Sequence, residues 1–183
     1  MNLYPVQCTP HPIDTLRAFE DRGALARSRF LARIDTCISE AGAAGHRLAL
    51  FLVGLDRPGQ RLGSLEPEAE AALRARAEAR LAGCAAQDGA AARLRDDIFG
   101  LLLPRMRSGL QAREAATRIL CTLGFPYRAR IGIAVFPGDG RNAAALIGCA
   151  ATALARARRE ARPTYCFYLR AFATSTASSS PVL

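Results

Sequence analysis

The chain has 183 residues, of which 50% are hydrophobic and 22% are charged, and its formal net charge is +9. This content of apolar side chains excludes wholesale disorder, and the length fits one domain with short tails. The longest apolar run, residues 48–55, has the length of a strand, so we expect no transmembrane helix and no membrane insertion. The N-terminus has no basic region followed by an apolar stretch, so we expect no secretory signal and a cytoplasmic protein.

The cysteines and arginines show no pattern of a metal or nucleic-acid site. Six cysteines are spread along the chain without a C-x-x-C pair, which is typical of reduced thiols in a cytosolic protein. All 25 basic residues are arginine, without interleaved aromatic residues or a known binding motif, so no nucleic-acid partner is expected. The densest group is interpreted as a solvated helix face, with a phosphate or acidic partner as the alternative; it comprises Arg156, Arg158, Arg159 and Arg162.

Hydrophobic periodicity predicts alternating helices and strands between an aperiodic N-terminal tail, residues 1–12, and a low-complexity, disordered C-terminal tail, residues 171–183. The helices are expected over residues 13–41, with a break around Gly23, and over residues 66–84, 109–123 and 142–159. The strands are expected over residues 48–55, 91–94, 99–103, 127–136 and 165–169, with a tight hairpin at residues 95–98. This order predicts an α/β domain over residues 13–170, an α+β arrangement with a mixed sheet covered by helices.

Four segments of the chain resemble, in the same order, the signatures of the GGDEF family, the diguanylate cyclases. Residues 92–104, ARLRDDIFGLLLP, resemble the family's A-R-x-G-G-D-E-F-x-x-x-L-P hairpin, and residues 130–140, RIGIAVFPGDG, resemble S-I-G-I-A-x-x-P-x-D-G. Residues 150–158 resemble the A-D-x-A-L-Y-x-A-K helix, and residues 165–168 resemble the closing strand. The resemblance covers residues 20–170 and implies a nucleotide-cyclase, palm-like fold with a central five-stranded sheet flanked by helices.

The chain departs from the family's pattern at the metal-binding positions. Active members condense two GTP molecules to cyclic di-GMP with two Mg²⁺ ions, which acidic residues on the first strand and on the hairpin hold. The resemblance places Gly54 and Ile98 at these positions. The two glycines of the signature are also replaced, because the motif reads Arg95, Asp96, Asp97, Ile98 and Phe99. These changes predict a degenerate domain without catalytic residues, bound metal or cofactor.

The positions that the family uses for its ligands are changed as well. In an ungapped alignment, the guanine-reading positions hold Leu62 and Ala71, which offer no polar edge to guanine. The product-inhibition motif R-x-x-D falls on Ala86 and Gly89, so the arginine that would bind cyclic di-GMP is missing. A phosphate-contacting lysine of the fourth helix falls on Arg158, which keeps the positive charge.

Three aspartates near the altered positions leave an alternative open. Asp56 lies two residues after Gly54 and therefore on the same face of the strand. With Asp96 and Asp97 it could form a rebuilt metal site. The other interpretation is that these aspartates are ordinary strand-end and turn residues.

The resemblance and the departures together predict a catalytically inactive GGDEF-like domain, a regulatory or protein-interaction module in bacterial cyclic di-GMP signalling. The expected partner is a cyclase, a phosphodiesterase or an effector protein, and either a homodimer or a heterodimer is compatible with the preserved palm surface. Two alternatives stay open. The chain could be a non-catalytic receptor for GTP or cyclic di-GMP, or a cyclase with the rebuilt metal site.

Overall fold

The computed structural model describes residues 12–56, 66–85, 89–124 and 126–169, without the side chains of residues 12–24 and Asp56. These residues form four helices, α1 (Pro12–Ala44), α2 (Pro67–Cys84), α3 (Gly109–Leu123) and α4 (Ala143–Ala157). Between and after them lie five strands, β1 (Arg47–Asp56), β2 (Ala90–Arg93), β3 (Ile98–Met106), β4 (Arg128–Phe136) and β5 (Thr164–Phe167). The predicted tails, apart from Pro12, lie outside the described residues.

The strands form one mixed sheet in the order β2-β3-β1-β4-β5. β1 is central and pairs antiparallel with β3 and β4, β2 pairs antiparallel with β3, and β4 pairs parallel with β5. A central strand that is covered by helices on both faces needs apolar side chains on both of them, which explains the unbroken apolar run of β1. The predicted mixed sheet of five strands, flanked by helices, is therefore confirmed.

Side chains that alternate along β1 supply two hydrophobic cores, one on each face of the sheet. Phe51 and Val53 belong to the core that α2 and α3 cover. Leu50 and Leu52 belong to the core under α1 and α4. The sheet is thus the middle layer between two layers of helices.

α4 lies very close to the sheet at Gly132 of β4. A β-carbon at this position would clash with the backbone oxygen of Ala150 and the backbone nitrogen of Leu154, and would lie 2.8 Å from the Leu154 Cα. The helix backbone therefore rests directly on the strand, and the absence of a side chain at Gly132 permits the contact. The close approach fixes where the C-terminal end of α4 lies over the sheet.

α1 and β3 differ from their predicted forms. The expected break at Gly23 is wrong, because α1 is one helix of 33 residues. A glycine in a helix interior costs only about 1 kcal/mol, which the other residues of a long helix outweigh. β3 continues to Met106 through a register shift against β1, where Arg105 has a φ of +56°. Such a bulge accommodates Pro104, which has no N–H to donate to a regular ladder.

No helix in the described part of the chain combines the length and the hydropathy that a bilayer span requires.

Candidate functional site

The hairpin between β2 and β3 forms a tight turn without glycine. The backbone N–H groups of Leu94 and Arg95 donate to the Ile98 oxygen at 2.8 and 3.1 Å, and the Ile98 N–H donates to the Arg95 oxygen at 3.3 Å. The Asp97 oxygen accepts a bond of 2.9 Å from the N–H of Leu55, which joins the turn to β1. None of the three turn residues before Ile98 has a positive φ, so the turn needs none of the conformational freedom of glycine.

Gly54 and Ile98, the two expected carboxylate positions, are direct cross-strand partners in β1 and β3. Cross-strand partners share one face of the sheet, so the structure brings together the two positions that the resemblance pairs. The Ile98 side chain is half-buried and packs against the core under α1 and α4. Neither side chain offers an oxygen atom to a cation.

The guanidinium of Arg158 lies over Gly54. Arg158 ends α4, one helical turn after Leu154. A β-carbon at position 54 would lie 2.8 Å from the Arg158 Nη2 and 3.1 Å from its Nε. The same Nη2 donates to the Oδ2 of Asp97 at 2.7 Å, and both side chains are 39% exposed. This charge-assisted bond is short, but an ion pair with this exposure contributes only about 0.2–1 kcal/mol to stability.

Arg130 places a second guanidinium on the same face of the sheet. It is the register partner of Gly54 in β4 and is only 7% exposed. Its Nε and Nη2 donate to the backbone oxygen of Glu160 at 3.3 and 3.0 Å. Arg130 was not predicted as a site residue. The family's S-I-G-I-A motif begins with serine, and this chain has Arg130 at that position. That replacement was the available signal.

The four arginines of the densest group are all exposed, as the solvated-face interpretation expects; they are Arg156, Arg158, Arg159 and Arg162. Arg158 in addition binds Asp97 across the end of the sheet. Successive positions along a helix point about 100° apart, so each of these side chains leaves the end of α4 in its own direction.

The side chains that the structure describes do not fit the pair of divalent cations that the family resemblance implies. Position 54 has no ligand atom, the guanidinium of Arg158 fills the space above it, and Asp97 is bound to that guanidinium. The residues with described side chains include no group of three His, Cys, Asp or Glu that could hold a metal ion. Asp96 is exposed in the turn, and the side chain of Asp56 lies outside the described residues, so the rebuilt site stays a prediction.

Of the other predicted ligand positions, the structure describes two. Leu62 and Ala86 lie outside the described residues. Ala71 is exposed in α2, and Gly89 lies one residue before β2. The candidate site is therefore the end of the sheet where Gly54, Asp97 and Arg158 meet.

Comparison with known proteins agrees with the fold and with the hairpin. The family model for the diguanylate cyclase GGDEF domain matches residues 23–164. An uncharacterized signaling protein of Caulobacter vibrioides is 29% identical over 160 residues, which are 81% of this chain, although the chain spans only 20% of that protein.

Two solved structures extend the comparison. The GGDEF domain of YfiN from Pseudomonas aeruginosa is 26% identical, with a TM-score of 0.72 over 78% of this chain and 95% of that domain. Diguanylate cyclase SiaD of the same organism, solved with its activator SiaC, shares the fold at 16% identity, with a TM-score of 0.68 over 85% of this chain and 68% of SiaD. With a family model that matches most of its residues, and with this sheet and hairpin, the chain belongs to the GGDEF family.

Proposed function

We propose that this chain is a catalytically inactive GGDEF domain that acts as a regulatory or protein-interaction module in bacterial cyclic di-GMP signalling. One observation carries the proposal. The cross-strand pair Gly54 and Ile98 has no carboxylate, and the nearby acidic side chain of Asp97 binds Arg158.

The reaction of the family requires carboxylate ligands for divalent cations, which positions 54 and 98 lack. Attack of a 3′-oxygen on a triphosphate builds up negative charge that hard cations neutralise, and those cations need carboxylate oxygens. Among the described side chains, the cations at this end of the sheet are two guanidinium groups: Arg158 is paired with Asp97, and Arg130 donates to the backbone oxygen of Glu160. We therefore expect GTP to meet no pair of metal ions here and to remain unreacted.

The hydrophobic side chains that hold the fold together, and so support any surface for a protein partner, are retained. The side chains that hold the sheet and helices together in the resembling motifs are buried, namely Phe99, Leu102, Ile131, Ile133 and Leu154. SiaD, which shares the fold, forms a complex with an activator protein, so a protein partner on a GGDEF fold has a structural precedent. We propose a partner from the same signalling chemistry: a cyclase, a phosphodiesterase or an effector protein, in a homodimer or heterodimer.

The proposal is tested by titrating the purified chain with GTP and Mg²⁺ in a calorimeter, followed by chromatography of the mixture. The expected result is that no cyclic di-GMP forms, while an active GGDEF cyclase run in parallel produces it. Formation of cyclic di-GMP by the purified chain would refute the proposal, and loss of that activity in Asp56→Asn would assign it to the rebuilt site.

A nucleotide receptor is the second candidate, and the retained charge of Arg158 favours it. Asp97 binds one nitrogen of its guanidinium, which has five N–H donors and is 39% exposed, so the same group could also donate to a phosphate. Calorimetry with GTP and, separately, with cyclic di-GMP distinguishes the two candidates. Saturable heat without product would make the chain a receptor, whereas no heat would leave the protein-interaction module.

The interaction itself is tested with purified candidate partners. The chain is mixed with an active GGDEF cyclase, and cyclic di-GMP production is measured against chain concentration. A saturable change in rate, with co-elution from a sizing column, is the expected result for a cyclase partner. A rate that stays constant, without co-elution, would remove cyclases from the candidate partners and direct the same assay to phosphodiesterases and effector proteins.

A further inference from the structure

The cation-binding end of the sheet contains a positive charge supplied by the chain itself. We infer that the guanidinium of Arg158 is the resident cation of this site, that Gly54 provides its space, and that the two together exclude divalent metal. The inference rests on the proposed lack of a catalytic metal site and deepens it. Its test measures metal binding without nucleotide, so its outcome is distinguishable from that of the assay for cyclic di-GMP formation.

A single atom, the Nη2 of Arg158, makes both of the contacts that define the site. It lies 2.7 Å from the Oδ2 of Asp97 and 2.8 Å from the place of a β-carbon at position 54. A carboxylate introduced at position 54 would therefore reach toward the same point as the carboxylate of Asp97. Two carboxylates that converge on one point are the donor set of a hard divalent cation. The guanidinium has a single positive charge, which the carboxylate of Asp97 alone balances. A second carboxylate at position 54 is therefore not required, in agreement with the glycine there.

Both partners of the ion pair are held in place by their own backbones. The N–H of Arg158 donates to the Leu154 oxygen at 2.9 Å, and the oxygen of Asp97 accepts from the Leu55 N–H at 2.9 Å. Arg158 also ends α4, where the partial negative charge of the helix C-terminus favours a cation. The end of α4 therefore positions the guanidinium at the site. The ion pair with Asp97 connects the hairpin to α4.

The two positions should consequently behave as a matched pair. A carboxylate at position 54 alone would pair with the guanidinium, and the site would stay closed to metal. Removal of the guanidinium alone would free the carboxylate of Asp97 without adding a second one at position 54, and a single carboxylate binds divalent cations weakly. Only the two changes together would place two carboxylates around an empty centre.

The experiment measures binding of Mn²⁺, alone and without nucleotide, by electron paramagnetic resonance of the free ion. The proteins compared are the natural chain, Arg158→Met, Gly54→Asp and the double variant Gly54→Asp/Arg158→Met. Methionine keeps most of the length of the arginine side chain without its charge. The matched control is Gly54→Asp/Arg159→Met, which removes the neighbouring exposed arginine and changes the net charge equally.

The double variant is expected to bind Mn²⁺ at least about tenfold more tightly than the other three proteins and the Arg159 control, because it alone both adds a carboxylate at position 54 and frees that of Asp97. Tight Mn²⁺ binding by the natural chain would overturn the inference. Equal binding by Gly54→Asp and the double variant would do so as well, since it would show that the guanidinium excludes nothing.

A second measurement decides the question if the double variant does not fold. Thermal unfolding of Asp97→Asn, Arg158→Met and their combination is compared in buffer with EDTA. The expected result is that the combination unfolds no more than about 1 °C below the less stable single variant, because both changes break one ion pair. Fully additive losses would show that the two groups act separately and would refute the inference.

Discussion

The contact between α4 and Gly132 supports the sharpest stability prediction. In Gly132→Ala, the new methyl carbon would clash with two backbone atoms, the Ala150 oxygen and the Leu154 nitrogen, and would lie 2.8 Å from the Leu154 Cα. Carbon atoms in contact are ordinarily about 3.5–4.0 Å apart, so α4 must move outward by about 1 Å. Backbone atoms of a helix cannot turn aside as a flexible side chain can.

The loss of stability is estimated from the packing that the displacement of α4 disturbs. α4 buries six residues against the sheet, Ala143, Leu146, Ala150, Ala153, Leu154 and Ala157. Overpacking of a close-packed core typically costs 1–3 kcal/mol, and the backbone clash puts this case at the upper end, about 3 kcal/mol. For a domain of this size, that loss lowers the unfolding temperature by about 6–12 °C.

Thermal unfolding followed by circular dichroism at 222 nm measures this loss. The matched control is Gly148→Ala, since Gly148 lies in α4 itself and a β-carbon there would meet nothing within 4 Å. The control should gain up to about 1 kcal/mol, because alanine is the better helix former. An unfolding temperature of Gly132→Ala equal to that of the natural chain would mean that α4 is not seated on β4 as described.

Substitutions at three further positions test how the helices are anchored, each by chemical denaturation. Arg80→Met should lose about 1–2 kcal/mol, since the Arg80 Nη1 donates to the Leu123 oxygen at 3.0 Å and the guanidinium lies 5.6 Å from the Tyr127 ring centre; an unchanged midpoint would contradict this. Tyr127→Phe should lose about 1 kcal/mol with the 2.8 Å bond from its hydroxyl to the Leu73 oxygen, and a loss below 0.3 kcal/mol would count against that bond. Asn142→Ala should lose about 1 kcal/mol of N-cap energy, whereas Asn142→Ser should stay within a few tenths of the natural chain; equal losses would contradict the cap.

Several elements were predictable because their signals are local. The predicted helix at residues 109–123 coincides with α3, which Ser108 and Gln111 begin with a capping box and which Gly124 follows. The apolar run at residues 48–55 predicted the buried strand β1. The break expected at Gly23 was wrong because a single glycine is a weak signal, and the helix continues through it.

The candidate site divides in the same way. The loss of carboxylates at positions 54 and 98 is visible in the sequence, since the chemistry of a side chain follows from its residue type. The ion pair between Asp97 and Arg158 could not be predicted from the sequence. Its partners are 61 residues apart, and a charged side chain at the surface is stable when it is hydrated and unpaired. The same holds for Arg130, whose buried hydrogen bonds to Glu160 require the turn between α4 and β5.

The sequence by itself determined the order of helices and strands, the mixed sheet, and the absence of carboxylates where the resembling family has them, because periodicity and residue chemistry belong to neighbouring positions. The tertiary structure alone decided what stands in their place. Gly132 lets α4 rest on the sheet, and this contact carries the end of the helix to Gly54, where the guanidinium of Arg158 meets Asp97. Which charges face each other there depends on the packing of distant segments, and that is a property of the folded chain.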